Sequence, residues 1–153
     1  MSGIIGQTGR SGIIGPAETA RVGFGAFGAS SYTLATAWNN ISFTQIWDLG
    51  GCYDGTTFTA PVTGKYFFSA RAWFTGLTAG DNCYFRLSGG GRTYYSQQYR
   101  SFGTTTDSNG NIAVVADMDA NDTMVVQGYN ATGTRGAIST SDNTGFHGWL
   151  LGY

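Results

Sequence analysis

From Val22 onward the chain alternates apolar and polar residues in short runs. Val22-Gly-Phe-Gly-Ala-Phe27 opens the series. Ile41, Phe43, Gln45 and Trp47 alternate with Ser42, Thr44, Ile46 and Asp48, a period of two that predicts a strand with one face inward. The longest run is 65–74. It sets Tyr66, Phe68, Ala70, Ala72 and Phe74 on one face and Phe67, Ser69, Arg71 and Trp73 on the other. Apolar bulk on both faces marks a central strand. Cys83, Phe85 and Leu87 alternate with Tyr84 and Arg86, and Ile112, Val114, Ala116 and Met118 form another face. Runs at 124–129 and 146–151 close the series. Between them lie turn signals: Asp48-Leu-Gly-Gly51, Asp54-Gly55, Pro61-Val-Thr-Gly64, Ser88-Gly-Gly-Gly91, Asp107-Ser-Asn-Gly110 and Asp119-Ala-Asn-Asp122. Many short strands joined by regular turns predict an all-β sandwich or barrel.

The first residues follow another rule. Glycine recurs at 3, 6, 9, 12 and 15, and Ser-Gly-Ile-Ile-Gly occurs at 2–6 and again at 11–15. Glycine at every third position is the collagen period, but only Pro16 supplies the proline that a triple helix needs, and five triplets are too few. The segment reads as an extended arm over 1–20, followed by a head over 21–153. Ile4, Ile5, Ile13 and Ile14 would be its anchoring side chains, because two exposed Ile-Ile pairs call for a partner. The N-terminus lacks both a charged segment and a continuous apolar run, so no signal peptide is expected. No stretch approaches the ~18 apolar residues of a membrane span.

Composition sharpens this picture. The 153 residues suit one domain. Charged residues are 11% of the chain, aromatics 15%, and glycine accounts for 25 positions. One Lys, one Glu and six Leu are a poor stock for helices, which excludes a helical bundle. A net charge of -1 offers no basic face, so no nucleic-acid partner is expected.

The stretch from Phe43 to Ser69 resembles the globular head of complement component 1q, within the wider tumour-necrosis-factor-like jelly-roll family. The resemblance rests on Tyr53-Asp54, Phe58, Ala60-Pro61, Gly64, Tyr66 and Phe68, and on the ending Phe146-His-Gly-Trp-Leu-Leu151. The pair of runs 112–118 and 123–129, joined by an acidic turn, is also similar. The resemblance implies a ten-stranded antiparallel jelly-roll sandwich assembled as a homotrimer, with aromatic residues near the three-fold axis. The sparse charge and the short glycine-isoleucine arm also resemble structural proteins of tailed-phage virions.

Candidate chemistry is thin. The single histidine, His147, sits between Phe146 and Gly148 in a strand pattern, and Cys52 and Cys83 form no CxxC motif. No catalytic residue is assigned and no enzyme is expected. Calcium is the one candidate cofactor. Asp107, Asn109 and Asn111 put oxygen side chains at alternate positions around Gly110, like the opening of a calcium loop, and Asp117, Asp119 and Asp122 form a second acidic group. Ordinary turns explain both groups as well. A candidate recognition surface is Arg92, Tyr94, Tyr95, Gln97, Gln98, Tyr99 and Arg100, residue types that stack and hydrogen-bond at low entropic cost; an edge strand and loop at a trimer interface explains the segment equally well.

The function expected is that of a non-enzymatic virion protein. It would be a homotrimeric capsid fibre or decoration, anchored by its arm to a capsid or connector protein and exposing its head at the virion surface. Two alternatives remain: a tail-fibre tip that binds host surface glycan, and a secreted complement-like lectin or ligand.

Overall fold

The computed structural model describes residues 21–29, 32–96, 99–100, 106–134, 137–138 and 143–153. The expected arm, with Ile4, Ile5, Ile13 and Ile14, lies outside the described residues. Among the described residues the regular structure is strand throughout, and no helix is long and apolar enough to cross a membrane.

Two antiparallel sheets make a sandwich. In sheet one, the long central strand β6 (Gly64–Leu77) pairs with β10 (Thr106–Met118) along one edge. Its other edge pairs first with β13 (Gly145–Gly152) and then with β12 (Ala137–Ile138). Beyond β13 lie β1 (Gly23–Ala29) and β4 (Phe43–Leu49), and β2 (Tyr32–Thr33) flanks β12. In sheet two, β11 (Thr123–Asn130) and β7 (Asn82–Gly89) form the centre. Strands β3 (Asn39–Asn40) and β5 (Thr57–Thr59) pair with the outer edge of β11. Strands β8 (Arg92–Tyr95) and β9 (Tyr99–Arg100) pair with the outer edge of β7. This is the jelly-roll sandwich that the strand pattern and the resemblance imply. Among the described residues, four of the thirteen strand segments are only two residues long.

The core follows the alternation. Tyr66, Phe68, Ala70, Ala72 and Phe74 of β6 are buried, as are Cys83, Phe85 and Leu87 of β7 and Met124 and Val126 of β11. Phe24, Phe58, Phe68 and Phe146 form a ring cluster at one end, with Tyr53 stacked on Phe24 at 4.3 Å. The family-like motif builds this end. Tyr53 bridges to Phe58, and the Asp54 carboxylate accepts the amides of Thr56 and Thr57 across the loop. The Tyr66 hydroxyl donates to the Val62 carbonyl at 2.7 Å. Asp48 closes the preceding loop by accepting from the amides of Cys52 and Tyr53.

Three expectations need correction. Phe43 is buried but Trp47 points outward, although both fall on one face of the simple alternation. Between Gly25 and Ala26 of β1 the register with β4 slips by one residue, so Ile46 is extra and the strand reverses its faces there. Second, 107–110 is no turn. Ser108, Asn109 and Gly110 pair with Phe74, Trp73 and Ala72, so β6 carries β10 straight through the polar signal. Gly110 is needed for close approach, because a Cβ there would lie 2.9 Å from the Tyr99 ring. Third, Gly64 opens β6 instead of making a turn, and a Cβ there would meet the Gly152 carbonyl at 2.7 Å.

At the other end, the turn before β7 is held by Asp81, which is buried. Its carboxylate accepts from the Thr78 amide at 2.7 Å, from the Thr78 hydroxyl and from the Thr132 hydroxyl at 2.8 Å. Burial pushes its pKa up, but these donors outweigh burial and hold it below the ordinary carboxylate value. A depressed pKa adds stability above the unfolded value of about 4, and that stability is lost as pH falls through the folded value. Asp81→Ala should therefore cost about 1–3 kcal/mol at pH 7, with a smaller difference from wild type in acid. Chemical denaturation at pH 7 and at pH 3 measures both, and equal differences at the two pH values would refute the assignment.

Candidate functional site

The outer face of sheet one carries a transverse apolar row. Leu49, Gly23, Trp149, Phe67 and Val115 stand directly opposite one another across β4, β1, β13, β6 and β10. Leu49, Trp149 and Val115 are 49%, 41% and 54% exposed. Phe67 and Trp149 pack ring to ring at 4.8 Å. In the neighbouring row Trp47 lies over Gly25, followed by His147, Ser69 and Ala113. Glycine is required at position 25, where a Cβ would sit 2.3 Å from the Trp47 indole nitrogen. Leu151 extends the apolar surface, and a groove of about 290 Å³ runs between Trp47, Leu49, Trp149 and Leu151 beside Arg21. An apolar row crossing five of the seven strands of sheet one is a candidate interaction face. The simple alternation puts Trp47 on the same face as the buried Phe43 and so does not mark it as part of this row. The signal that could have found the face is Gly23-x-Gly25, two small residues that leave room for flanking tryptophans.

The described members of the sequence-derived recognition set are divided between core and surface. Of the described ones, Tyr94 and Tyr95 are neighbours on β8, the first partly buried and the second exposed. Tyr94 and Tyr99 are partly buried against the core, with Tyr99 5.6 Å from Phe74. Tyr95 is exposed and joins the outer face of sheet two, while Arg92 lines a cleft with Lys65, Asp117, Asp119, Asp122 and Tyr153. Gln97 and Gln98 lie outside the described residues, and for Arg100 only the backbone in β9 is described.

The acidic residues are also redistributed. Asp107, Asn109 and Asn111 stand at alternate positions on the extended β10, where neighbours on one face are about 7 Å apart. Ligands wrapped around one calcium at about 2.4 Å need a loop instead. Asp117 pairs with Lys65, which holds its carboxyl below the usual range. Asp122 accepts the Asp119 amide at 2.9 Å and so closes the turn between β10 and β11. Among the described residues no group of three or more His, Cys, Asp and Glu side chains could hold a metal ion.

His147 meets the Phe27 ring edge-on at 4.5 Å. Burial, then the nearby Arg71 cation, hold its pKa below the ordinary value, so it is neutral at pH 7. Cys52 and Cys83 are free and buried. Burial pushes both thiols up to about 12, with the Asp48 carboxylate adding to the rise at Cys52 and Asp81 at Cys83. Neither is a nucleophile at neutral pH.

The two sheets and their pairing define the chain as a jelly roll. Among solved structures, it is similar to the globular domain of zebrafish complement 1qA protein. That match has a TM-score of 0.62 and 16% identity, over 85% of this chain and 97% of that one. Murine APRIL at pH 5.0 gives 0.60 and 16%, over 85% and 98%. Eiger TNF from S. frugiperda gives 0.59 and 10%, over 86% and 93%. At these identities the likeness is one of fold: the chain has the jelly roll of complement 1q heads and tumour-necrosis-factor-like proteins. No protein-family description matches the chain, and no curated protein sequence does either.

Proposed function

We propose that the chain is a non-enzymatic, homotrimeric structural head that buries the Leu49–Gly23–Trp149–Phe67–Val115 row between copies. That row is the observation that carries the reading. Its apolar side chains stand on an outward sheet face, where burial against another surface is worth about 25 cal/mol per Å². Closed symmetric assembly is the common way to cover such a face. The resemblance of residues 43–69 to complement 1q heads supports three copies. With one Lys and 11% charged residues, the chain has little charge to keep copies apart.

Within this reading the finer role is that of a virion protein, a capsid fibre or decoration. Residues 1–20 would seat Ile4, Ile5, Ile13 and Ile14 in a capsid or connector protein. Three arms acting together raise the effective affinity of each short anchor.

Hydroxyl-radical footprinting of the full chain tests where the interface lies. Trp47 and Trp149 are expected to be protected and Tyr95 modified. Equal modification of all three would overturn the buried row. The virion role is tested separately by mass spectrometry of purified particles from the source culture. Many copies per particle are expected for a decoration, and absence from particles would remove the role while leaving the trimer standing.

A further inference from the structure

The opposite face of the sandwich carries a different surface. On the outer side of sheet two, Asn40, Gln127, Arg86 and Tyr95 stand in register across β3, β11, β7 and β8. Hydrogen bonds link all four. Gln127 Nε2 donates to Asn40 Oδ1 at 2.8 Å, Arg86 Nε donates to Gln127 Oε1 at 2.7 Å, and Arg86 Nη1 donates to the Tyr95 hydroxyl at 3.1 Å. Beside this ladder lies an aromatic group. Trp38 stacks on Tyr129 at 5.1 Å and meets Tyr95 edge-on at 5.9 Å, and Tyr84 lies 5.6 Å from Tyr129. The Arg86 guanidinium sits 3.9 Å from the centre of the Trp38 ring.

Arg86 is the telling residue. A half-buried guanidinium normally faces a carboxylate, but here the partners among the described residues are an amide oxygen, a phenol and two rings, all neutral. Of its five N–H donors, two are taken by the ladder. The hydrogen bonds and the stacking fix the fork in place before any ligand arrives, which lowers the entropic cost of binding. None of these side chains belongs to the buried core.

The geometry points to a binding platform for an acidic saccharide, a sugar whose carboxylate is held by Arg86. A carboxylate matches the guanidinium fork, apolar sugar C–H faces pack on aromatic rings, and sugar hydroxyls pair with Asn40, Gln127 and the tyrosine hydroxyls. A single-stranded nucleic acid would also stack here. It would need a track of cations for its phosphates, whereas this ladder holds one. The platform lies on the sheet opposite the apolar row, so this inference goes beyond the assembly reading and does not depend on it.

The test is binding of the full chain to an array of sialylated, uronic-acid-containing and neutral glycans, with an oligothymidine control. Wild type is expected to prefer acidic glycans. Arg86→Gln should lose at least tenfold in binding to them, and Arg86→Lys should fall between the two. Tyr95→Ala, at a residue 61% exposed, should weaken binding without affecting the fold. Thermal melting and light-scattering mass of each variant separate lost recognition from lost folding or assembly. The inference is overturned by no binding to acidic glycans, by equal binding to neutral ones, by binding that Arg86→Gln leaves unchanged, or by preference for the oligonucleotide.

Discussion

Phe146→Ala should be the most destabilising single truncation in the head, lowering stability by about 3–5 kcal/mol. Phe146 is fully buried. It meets Phe24 edge-on at 4.8 Å and Tyr53 edge-on at 5.8 Å, stacks on Phe68 at 6.0 Å and tilts against Phe43 at 6.1 Å. These rings come from β1, β4 and β6 of sheet one and from the loop between β4 and β5, and Phe24 and Phe68 pack in turn on Phe58 of sheet two, so the gap has no single wall free to collapse. The strand cannot slide to fill it, because Gly148 is already wedged against Phe68 and Phe24. For a domain of this size the loss corresponds to a melting temperature lower by about 10 °C. Wild type and variant must be compared at one protein concentration, since assembly also shifts the midpoint. A drop of under 2 °C would show that this cluster does not hold the two sheets together.

Trp149→Glu should have the second large effect, and of another kind. Trp149 points away from the core at the centre of the apolar row, between Gly23 and Phe67. A carboxylate there is free in a single chain, so the chain should still fold. In an assembly it would be buried without a partner, which costs several kcal/mol for each ion. The expected result is a chain with an unchanged circular dichroism spectrum and the mass of one copy. Tyr95→Glu, on the opposite sheet, places the same charge where no copy is expected to pack and should leave the assembled mass unchanged. If both variants assemble like wild type, the row is not the interface.

Much of the fold is legible in the sequence because the alternation is strict. The inward set Tyr66, Phe68, Ala70, Ala72 and Phe74 reads directly from period two, and Cys83, Phe85 and Leu87 do the same for β7. The closing turn at 119–122 is as its polar residues imply, with Asp122 accepting the Asp119 amide. What could not be read depends on pairing between distant strands. A one-residue slip between β1 and β4 turns Trp47 outward, and nothing local to 43–49 signals it. Asp107-Ser-Asn-Gly110 has turn chemistry, but the length of β6 carries it through as strand, and its glycine serves the Tyr99 ring. The candidate sites suffered for the same reason. A tyrosine-rich segment is divided between core and surface, with Tyr94 and Tyr99 packed against the core and Tyr95 exposed. The Arg86 platform joins the β7–β8 hairpin to Asn40 and Gln127, which lie far from it and from each other in sequence.

In the proposed assembly, copies of this head cover the outer face of sheet one. The measurement that tests it most directly is light scattering of the full chain after size exclusion, over a hundredfold range of concentration. A species of three times 16.2 kDa is expected throughout. A steady mass of 16.2 kDa would contradict it, leaving the apolar row exposed to solvent with no copy to cover it.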